Sequence, residues 1–433
     1  MTQDEALTIL KMGYNVFLTG PPGSGKTHLL NRYISYLKRE GVKMGITAST
    51  GIAATHLDGI TIHSWSGLGI KEELSERDLE KMAKTPYLKK RIRNTDVLII
   101  DEVSMLHDYQ FDFINKICRA LRNDPRPFGG LQIVCAGDFF QLPPVTKKRK
   151  NPRFVTLSQI WNEMDIKICY LTEQHRHQEA ELSKILGEIR TNNVTKSSIK
   201  TLLKQKKKEF DLNINPTKLY THNRGVDMIN SKKLNLIKEK SHSYTYQKKG
   251  QKRFANFLIN NSIVPKKLVL KEGAVVMFIK NNFERGYVNG TLGKVVGFER
   301  GNPVVKTTSN RKIFVEREEW RVIEEGKEKA KIIQFPLRLA WAITIHKSQG
   351  MSLDAAEINL SKAFTPGMGY VALSRVKSLT GLKLVGLNKT ALQVKPEVIE
   401  LDKKFKKKSK TIQNYINNSS SQEIEEKIKK QFS

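Results

Sequence analysis

Residues 20–27 constrain the fold of this chain more than any other segment. They read Gly-Pro-Pro-Gly-Ser-Gly-Lys-Thr and match the phosphate-binding pattern GxxxxGK[ST], between an apolar run at 14–18 and a helix-compatible segment at 27–33. This strand–loop–helix order is the context in which the pattern binds a nucleoside triphosphate. The glycines let backbone N–H groups face the phosphates, the lysine supplies positive charge, and the threonine hydroxyl is a ligand for Mg²⁺. The predicted phosphate-binding residues are Gly20, Pro21, Pro22, Gly23, Ser24, Gly25, Lys26 and Thr27.

A second segment carries two acidic residues where such a loop needs them. An apolar run ends in Asp101 and Glu102, and parallel α/β sheets bind ligands at the carboxyl ends of their strands. In enzymes with a phosphate-binding loop, one acid holds Mg²⁺ and another polarises the attacking water. We therefore predict that Asp101 and Thr27 bind Mg²⁺ and that Glu102 and Lys26 are catalytic. The next apolar run leads to Gln141, which we predict to sense the γ-phosphate.

The charge of the chain indicates a polyanionic partner. The 433 residues carry a net charge of +32, and the excess is uneven: about +7 in residues 1–200 and +25 in residues 201–433. A basic surface of this size is typical of proteins that bind nucleic acid. A solvated, solubilising lysine surface is the alternative interpretation.

Several classes of protein are disfavoured by the composition. The three cysteines, Cys118, Cys135 and Cys169, are far apart and form no CxxC pair, so a disulfide framework or zinc site is not expected. There is no run of 18 apolar residues and no basic segment at the start of the chain that resembles a signal peptide. We therefore expect a cytoplasmic protein with no membrane partner, associated with the nucleoid of a bacterium.

The order of apolar runs predicts an α/β fold in several parts. Strands are predicted at 16–19, 44–48, 97–101, 131–136 and 166–171, with helices at 27–38 and 111–122, which favours a mostly parallel sheet covered by helices. Closely spaced short β runs with turn signals predict a small barrel inserted into a second α/β unit. The predicted parts are a first domain at 1–190 with a small insertion at 60–95 on the sheet edge, a second domain at 191–239 and 331–400, the barrel at 240–330, and a lysine-rich tail at 401–433 that is either a marginal helix or a disordered arm.

An ordered series of motifs resembles that of the Pif-type DNA helicases, in the B branch of helicase superfamily 1 beside the RecD-like enzymes. Residues 101–105 and 137–145 resemble motifs II and III of that family. The matches to motif Ia, the stretch after it, motif V and motif VI are at 47–54, 61–69, 340–350 and 370–376. One departure lies at 173–177, where the family has an aromatic residue before the arginine and a glutamine after it.

The resemblance implies two RecA-like domains, an SH3-like barrel in the second, and ATP in the cleft between them. It implies that Arg375 in motif VI, and Arg176 from the joining segment, reach across the cleft as catalytic arginines. A guanidinium suits this role because its planar fork matches phosphoryl oxygens. The resemblance also implies that Gln3 reads the adenine and that Gly350 lies at the nucleotide.

The resemblance further implies a path for single-stranded DNA across both domains. The residues that match its backbone contacts are Thr47, His63, Ser64, Thr344, His346, Lys347 and Ser348. Trp65 is a candidate for base stacking together with His63, and hydrophobic burial is an equal alternative for Trp65.

The function expected from these observations is ATP-dependent unwinding of DNA with 5′-to-3′ movement, in which the two RecA-like domains move relative to each other. Candidate substrates are duplexes, forks and junctions, G-quadruplexes and RNA–DNA hybrids. A single-strand-binding protein is a further candidate partner, and a monomer is expected. The alternatives are a translocase that displaces proteins without unwinding, a DNA-binding ATP switch, and a small-molecule kinase, which the basic charge and second domain disfavour.

Overall fold

The computed structural model describes residues 1–69, 71–144, 152–173, 180–207, 216–220, 225–261, 264–282, 284–324, 327–345 and 348–431. Within these ranges, no helix has both the length and the apolarity that crossing a membrane requires.

The first domain is built on a six-stranded parallel sheet. Its strands are β1 (Val16–Thr19), β2 (Met44–Ala48), β3 (Ile60–Thr61), β4 (Val97–Asp101), β5 (Gln132–Ala136) and β6 (Lys167–Tyr170), in the spatial order β3-β2-β4-β5-β1-β6. The central strands β1, β4 and β5 are buried along their whole length, as their unbroken apolar runs require. The five predicted strands of this domain are confirmed, and three have the predicted bounds.

Helices cover both faces of this sheet. They are α1 (Gln3–Lys11), α2 (Lys26–Arg39), α3 (Gly51–His56), α4 (Ile62–Ser66), α5 (Glu76–Ala83), α6 (Pro86–Arg93), α7 (Asp108–Arg122) and α8 (Gln159–Glu163). The segment 60–95 was predicted to lie on the sheet edge rather than in the core, and the structure agrees with the edge position but not with exclusion from the core. It supplies the edge strand β3, and Ile62, Leu88 and Ile92 are buried in the main hydrophobic core.

The rest of the chain contains fourteen further described strands and seven further described helices. The strands are β7 (Thr217–Tyr220), β8 (His242–Thr245), β9 (Gln247–Gly250), β10 (Lys267–Leu270), β11 (Val275–Phe278), β12 (Leu292–Glu299), β13 (Asn302–Thr307), β14 (Lys312–Phe314), β15 (Glu318–Glu324), β16 (Lys327–Gln334), β17 (Leu337–Leu339), β18 (Ala342–Thr344), β19 (Ala356–Leu360) and β20 (Leu382–Leu387). The helices are α9 (Ala180–Arg190), α10 (Lys196–Lys204), α11 (Val226–Asn235), α12 (Lys252–Asn261), α13 (Met368–Leu373), α14 (Pro396–Asn418) and α15 (Ser421–Lys430).

The second domain has a four-stranded parallel sheet in the order β18-β7-β19-β20. Its two central strands come from distant parts of the chain, because β7 precedes the β-rich insertion and β19 follows it. A β-rich insertion therefore interrupts this sheet along the sequence. The chain forms two parallel-sheet domains joined through α9 and α10.

The strands of the insertion pair in antiparallel fashion. Five strands form a sheet in the order β14-β13-β12-β11-β17, three form β15-β16-β9, and two form β10-β8. The predicted end at residue 330 is too early, because β16 continues to Gln334 and β17 pairs with β11. The likeness of this unit to an SH3 barrel stays a prediction.

The C-terminal segment returns to the first domain. α14 is a continuous helix of 23 residues, so the alternative of a disordered arm at 401–433 is wrong over the described part of that segment. Phe405, Ser409 and Ile412 lie on one helical face and are buried. The Phe405 ring centroid lies 5.2 Å from that of Phe17, and the backbone N–H of Tyr170 donates to Ser409 Oγ at 3.0 Å. The tail therefore packs against β1 and β6 instead of forming a separate part.

Candidate nucleotide and nucleic-acid sites

A cavity of about 870 Å³ opens between the two domains at the predicted phosphate-binding loop. Both domains supply its walls. From the first domain come Pro22, Gly23, Gly25, Lys26, Thr27, Asp101, Glu102 and Gln141, and from the second come Gln349, Gly350 and Arg375. Residues predicted from five separate motifs therefore meet in one space.

The loop before α2 has the backbone that phosphate binding needs. Gly23 and Gly25 have φ values of +85° and +84°, which favour glycine, and Gly25 caps the N-terminus of α2. Gly20 is also at positive φ, and a Cβ there would lie 2.5 Å from the carbonyl oxygen of Leu171. The Lys26 ammonium donates to the carbonyl oxygens of Gly20 and Pro21 at 2.8 and 3.1 Å. The lysine therefore lies against its own loop, where phosphate oxygens can replace the two carbonyls as acceptors.

The two carboxylates lie side by side at the end of β4. Glu102 adopts the left-handed conformation, with φ of +51°, and its backbone N–H donates to Asp101 Oδ1 at 2.8 Å. Burial, with a further contribution from the neighbouring Glu102 charge, raises the pKa of Asp101 to about 7. Burial also raises the pKa of Glu102, while Lys26 and Arg375 act in the opposite direction. The buried Asp101 and the half-buried Glu102 line the same cavity as the Thr27 hydroxyl, and together these groups form an oxygen donor set that fits a divalent cation.

Gln141 and Gln349 add two amide groups to the wall of the same cavity. Gln141 is 8% exposed, and its Oε1 atom has no hydrogen-bond partner among the described residues. A buried carbonyl oxygen of this kind can accept a hydrogen bond from a water molecule in the cavity. Gln349 Nε2 donates to Glu102 Oε2 at 3.1 Å, across the boundary between the domains. Sequence reasoning did not single out Gln349, although it lies in the segment that resembles motif V.

Arg375 reaches the cavity from the second domain. The residue is 1% exposed, and its Nε and Nη2 atoms donate to the Val371 carbonyl oxygen and to Ser374 Oγ, both at 2.9 Å. Burial lowers its pKa, while the Glu102 carboxylate raises it, and an arginine keeps its charge under all ordinary conditions. The guanidinium is therefore a buried positive charge that interacts with the Glu102 carboxylate.

Other predicted nucleotide residues lie elsewhere. Gln3 is buried at the start of α1 and is not among the described residues that line the cavity. Gly20, Pro21 and Ser24 support the loop without lining the cavity. Arg176 lies outside the described residues.

The predicted DNA contacts divide into buried and half-buried groups. Thr47, Trp65, Thr344 and Ser348 are each 2% exposed or less, so their side chains are buried in this structure. For Trp65 this agrees with the alternative of hydrophobic burial, and contact of these residues with DNA stays a prediction. The Thr47 hydroxyl donates to the Ile99 carbonyl oxygen at 2.6 Å, and the Ser348 hydroxyl donates to that of Ile345 at 2.8 Å. Trp65 packs against Gly45, where a Cβ would lie 2.7 Å from the indole nitrogen.

The remaining predicted contacts are nearer the surface or undescribed. His63 and Ser64 are half-buried in α4. Burial lowers the pKa of His63, and a hydrogen bond with Gln110 opposes that shift. His346 and Lys347 lie outside the described residues.

Known proteins are similar to this chain in sequence and in structure. Residues 4–197 match the PIF1-like helicase family, and residues 253–298 match the 2B domain of the DNA helicase Pif1. The chain is 45% identical to the ATP-dependent DNA helicase Pif1 of Psychrobacter sp. (strain PRwf-1), over 94% of this chain and 71% of that protein.

Two solved structures of a Bacteroides Pif1 are also similar. The one in complex with ADP-AlF4 is 31% identical with a TM-score of 0.81, and the one bound to single-stranded DNA is 31% identical with a TM-score of 0.61. Each match includes 94% of this chain and 96% of the Bacteroides chain. From the extent of these matches, the chain belongs to the PIF1-like family of helicases.

Proposed function

We propose that this protein is an ATP-dependent DNA helicase that moves 5′ to 3′ along single-stranded DNA and separates duplex or structured DNA. The observation that carries the proposal is the shared cavity, in which the phosphate-binding loop and Glu102 of the first domain meet Gln349 and Arg375 of the second. A site divided between two domains makes their relative position depend on the nucleotide. That dependence is what converts hydrolysis into movement.

The roles of the first-domain residues follow from their chemistry. Lys26 exchanges its two loop carbonyls for the β- and γ-phosphates of ATP. Thr27 and Asp101 are the residues that would hold Mg²⁺, which supplies charge neutralisation for the phosphates when bound. Glu102 accepts a proton from the attacking water, and Gln141 orients that water through its unpartnered Oε1 atom.

Arg375 completes the site from the second domain. Its guanidinium stabilises the negative charge that develops on the phosphoryl group during transfer, which contributes about 10³–10⁵ in rate in P-loop enzymes. Arg176 is proposed for a similar role from the joining segment. Because Arg375 belongs to a different domain from Lys26, hydrolysis requires the two domains to be closed on the nucleotide.

Single-stranded DNA is proposed to lie across both domains. The basic excess in residues 201–433 supports this path, because phosphate contacts supply most of the sequence-independent affinity. A Bacteroides relative was solved bound to single-stranded DNA, which also supports the proposal. Duplexes, forks, G-quadruplexes and RNA–DNA hybrids are the substrates to compare.

Two assays test the proposal. ATP turnover with and without single-stranded DNA distinguishes a helicase, translocase or DNA-dependent switch from a small-molecule kinase, and strong stimulation by DNA is expected. Unwinding of a forked duplex then separates a helicase from the alternatives of a switch or protein-displacing translocase. Stimulated turnover without strand separation would support those alternatives instead.

A further inference from the structure

A buried arginine outside the nucleotide cavity joins four separate parts of the fold. Arg190, the last residue of α9, is 7% exposed. One guanidinium nitrogen donates to both carboxylate oxygens of Asp138 at 3.1 Å and to the Tyr370 hydroxyl at 2.7 Å. The other donates to the Tyr170 hydroxyl at 3.0 Å and to Asp402 Oδ1 at 2.9 Å. The side chain therefore links β6, the loop after β5, α13 and α14.

One side of this cluster holds the loop that carries Gln141. The backbone N–H of Gln141 donates to the carbonyl oxygen of Asp138 at 3.0 Å, so the acid and the glutamine belong to one turn. The guanidinium carbon of Arg190 lies 3.9 Å from the centroid of the Phe140 ring, within the range of a cation–π contact. Arg190 therefore contacts two of the three residues that precede Gln141.

The other side of the cluster holds the helix that leads to Arg375. Tyr370 lies on α13, and the Arg375 side chain is bonded to Val371 on the same helix. Gly367, with φ of +91°, caps α13 against the loop, and a Cβ there would lie 3.1 Å from the Phe140 carbonyl oxygen. The loop and the helix are thus in direct contact at the position where Arg190 bridges them.

The charges of the cluster balance only when Arg190 is present. Asp138 is 1% exposed and pairs with Arg190 alone among the described cations, whereas Asp402 also pairs with Lys406 at 2.8 Å. Breaking a buried pair leaves an uncompensated charge, which is strongly unfavourable. In this arrangement of the two domains, the ion pair and hydrogen bonds of Arg190 therefore hold the loop against the helix.

We propose that Arg190 is a positioning residue for ATP hydrolysis, which fixes the loop of Gln141 against the helix of Arg375. A guanidinium is suited to this role because its planar fork donates to several acceptors at once, whereas a lysine ammonium is a single point of charge. The proposal rests on the proposed function, because it takes Gln141 and Arg375 as the groups that act on the γ-phosphate.

The test uses Tyr370→Phe, since replacing Arg190 by an apolar residue leaves Asp138 buried without a partner and endangers folding. Tyr370→Phe removes one hydroxyl and keeps the ring. We expect DNA-stimulated kcat to fall about tenfold, the consequence of losing one hydrogen bond to a charged group, while KM for ATP stays the same. Arg190→Lys is expected to lower kcat similarly, because it keeps the charge and loses the fork. Arg126→Lys, at an exposed arginine paired with Asp124, is the control and is expected to leave kcat unchanged.

A double-mutant cycle separates positioning from a general structural effect. If Arg190 acts through Gln141, then Tyr370→Phe combined with Gln141→Ala will lower kcat no further than Gln141→Ala alone. The inference would be overturned if the two substitutions lowered kcat independently, so that their losses multiplied, or if Tyr370→Phe left kcat unchanged. In either case, DNA-stimulated turnover by the unmodified protein would leave the proposed function standing. Absence of DNA-stimulated turnover in the unmodified protein would overturn the proposed function first, and this inference with it.

Discussion

The buried carboxylate pair is expected to lower the stability of the nucleotide-free protein above neutral pH. Burial raises the pKa of Asp101 from 3.8 to about 7, a change of about 3 pKa units, and each unit corresponds to about 1.4 kcal/mol. The folded state therefore binds this proton more tightly than the unfolded state. The stabilisation that comes from binding this proton is fully present below about pH 4 and is lost as the pH rises through about 7. Its loss lowers the free energy of unfolding by about 4 kcal/mol.

Asp101→Asn removes this cost and keeps the local hydrogen bond. In the parent protein the backbone N–H of Glu102 donates to Asp101 Oδ1 at 2.8 Å, and the asparagine carbonyl oxygen can accept the same hydrogen bond. We therefore expect the variant to be more stable than the parent by up to about 4 kcal/mol at pH 8 and by less than about 2 kcal/mol at pH 5. The melting temperature at pH 8 should rise by roughly 5 °C. The same variant should lose ATP turnover, because Asp101 is a proposed Mg²⁺ ligand.

The assay is calorimetric melting of both proteins without nucleotide or divalent cations, from pH 5 to pH 8. Asp124→Asn is the control, because the pKa of Asp124 is shifted in the opposite direction: hydrogen bonds from Arg126 lower it to about 2. That variant should show no gain in melting temperature at pH 8. Equal or lower stability of Asp101→Asn at pH 8, or a gain that does not change with pH, would refute the reasoning.

Three substitutions test the assigned roles in the cavity. Lys26→Ala should abolish ATP turnover in a steady-state assay, because no other described residue of the loop supplies positive charge, and near-normal turnover would contradict the site. Glu102→Gln should bind a fluorescent ATP analogue normally and lose hydrolysis, whereas lost binding would mean that the acid is structural. Arg375→Ala should lower kcat by about 10³ or more with little change in DNA affinity, relative to Arg126→Ala as an exposed control. A larger loss of DNA affinity than of kcat would argue against its role as a catalytic arginine.

The loop, the acids after β4 and Gln141 could be placed together from the sequence because these residues follow local rules. The loop glycines need positive φ, the acids follow an apolar strand, and parallel strands bring their carboxyl ends together. Arg375 was predicted from similarity alone, and the structure places it in the same cavity. The roles of these residues stay predictions.

Side-chain direction was not predictable from the motifs. Thr47 and Ser348 have hydroxyl groups suited to phosphate, yet each satisfies a nearby backbone carbonyl in the interior. Trp65 fills the space that Gly45 leaves open. A motif gives the position of a residue along the chain, while the direction of its side chain depends on neighbours that are distant in sequence.

Long-range packing explains the other differences. The tail is lysine-rich, and only its contact with β1 and β6 shows why Phe405 and Ser409 form a buried helical face. The partners of Arg190 come from four segments, none of which identifies the others in sequence. Gln349 likewise becomes notable only when the second domain brings it to Glu102.

The proposed function is tested most directly by unwinding of two partial duplexes that are identical except for a single-stranded tail at the 5′ or the 3′ end. We expect ATP-dependent strand separation of the 5′-tailed duplex, little separation of the 3′-tailed duplex, and none of either with Glu102→Gln. Preferential separation of the 3′-tailed duplex would contradict the proposed direction of movement. Separation by Glu102→Gln at the parent rate would contradict the claim that hydrolysis in this cavity drives it.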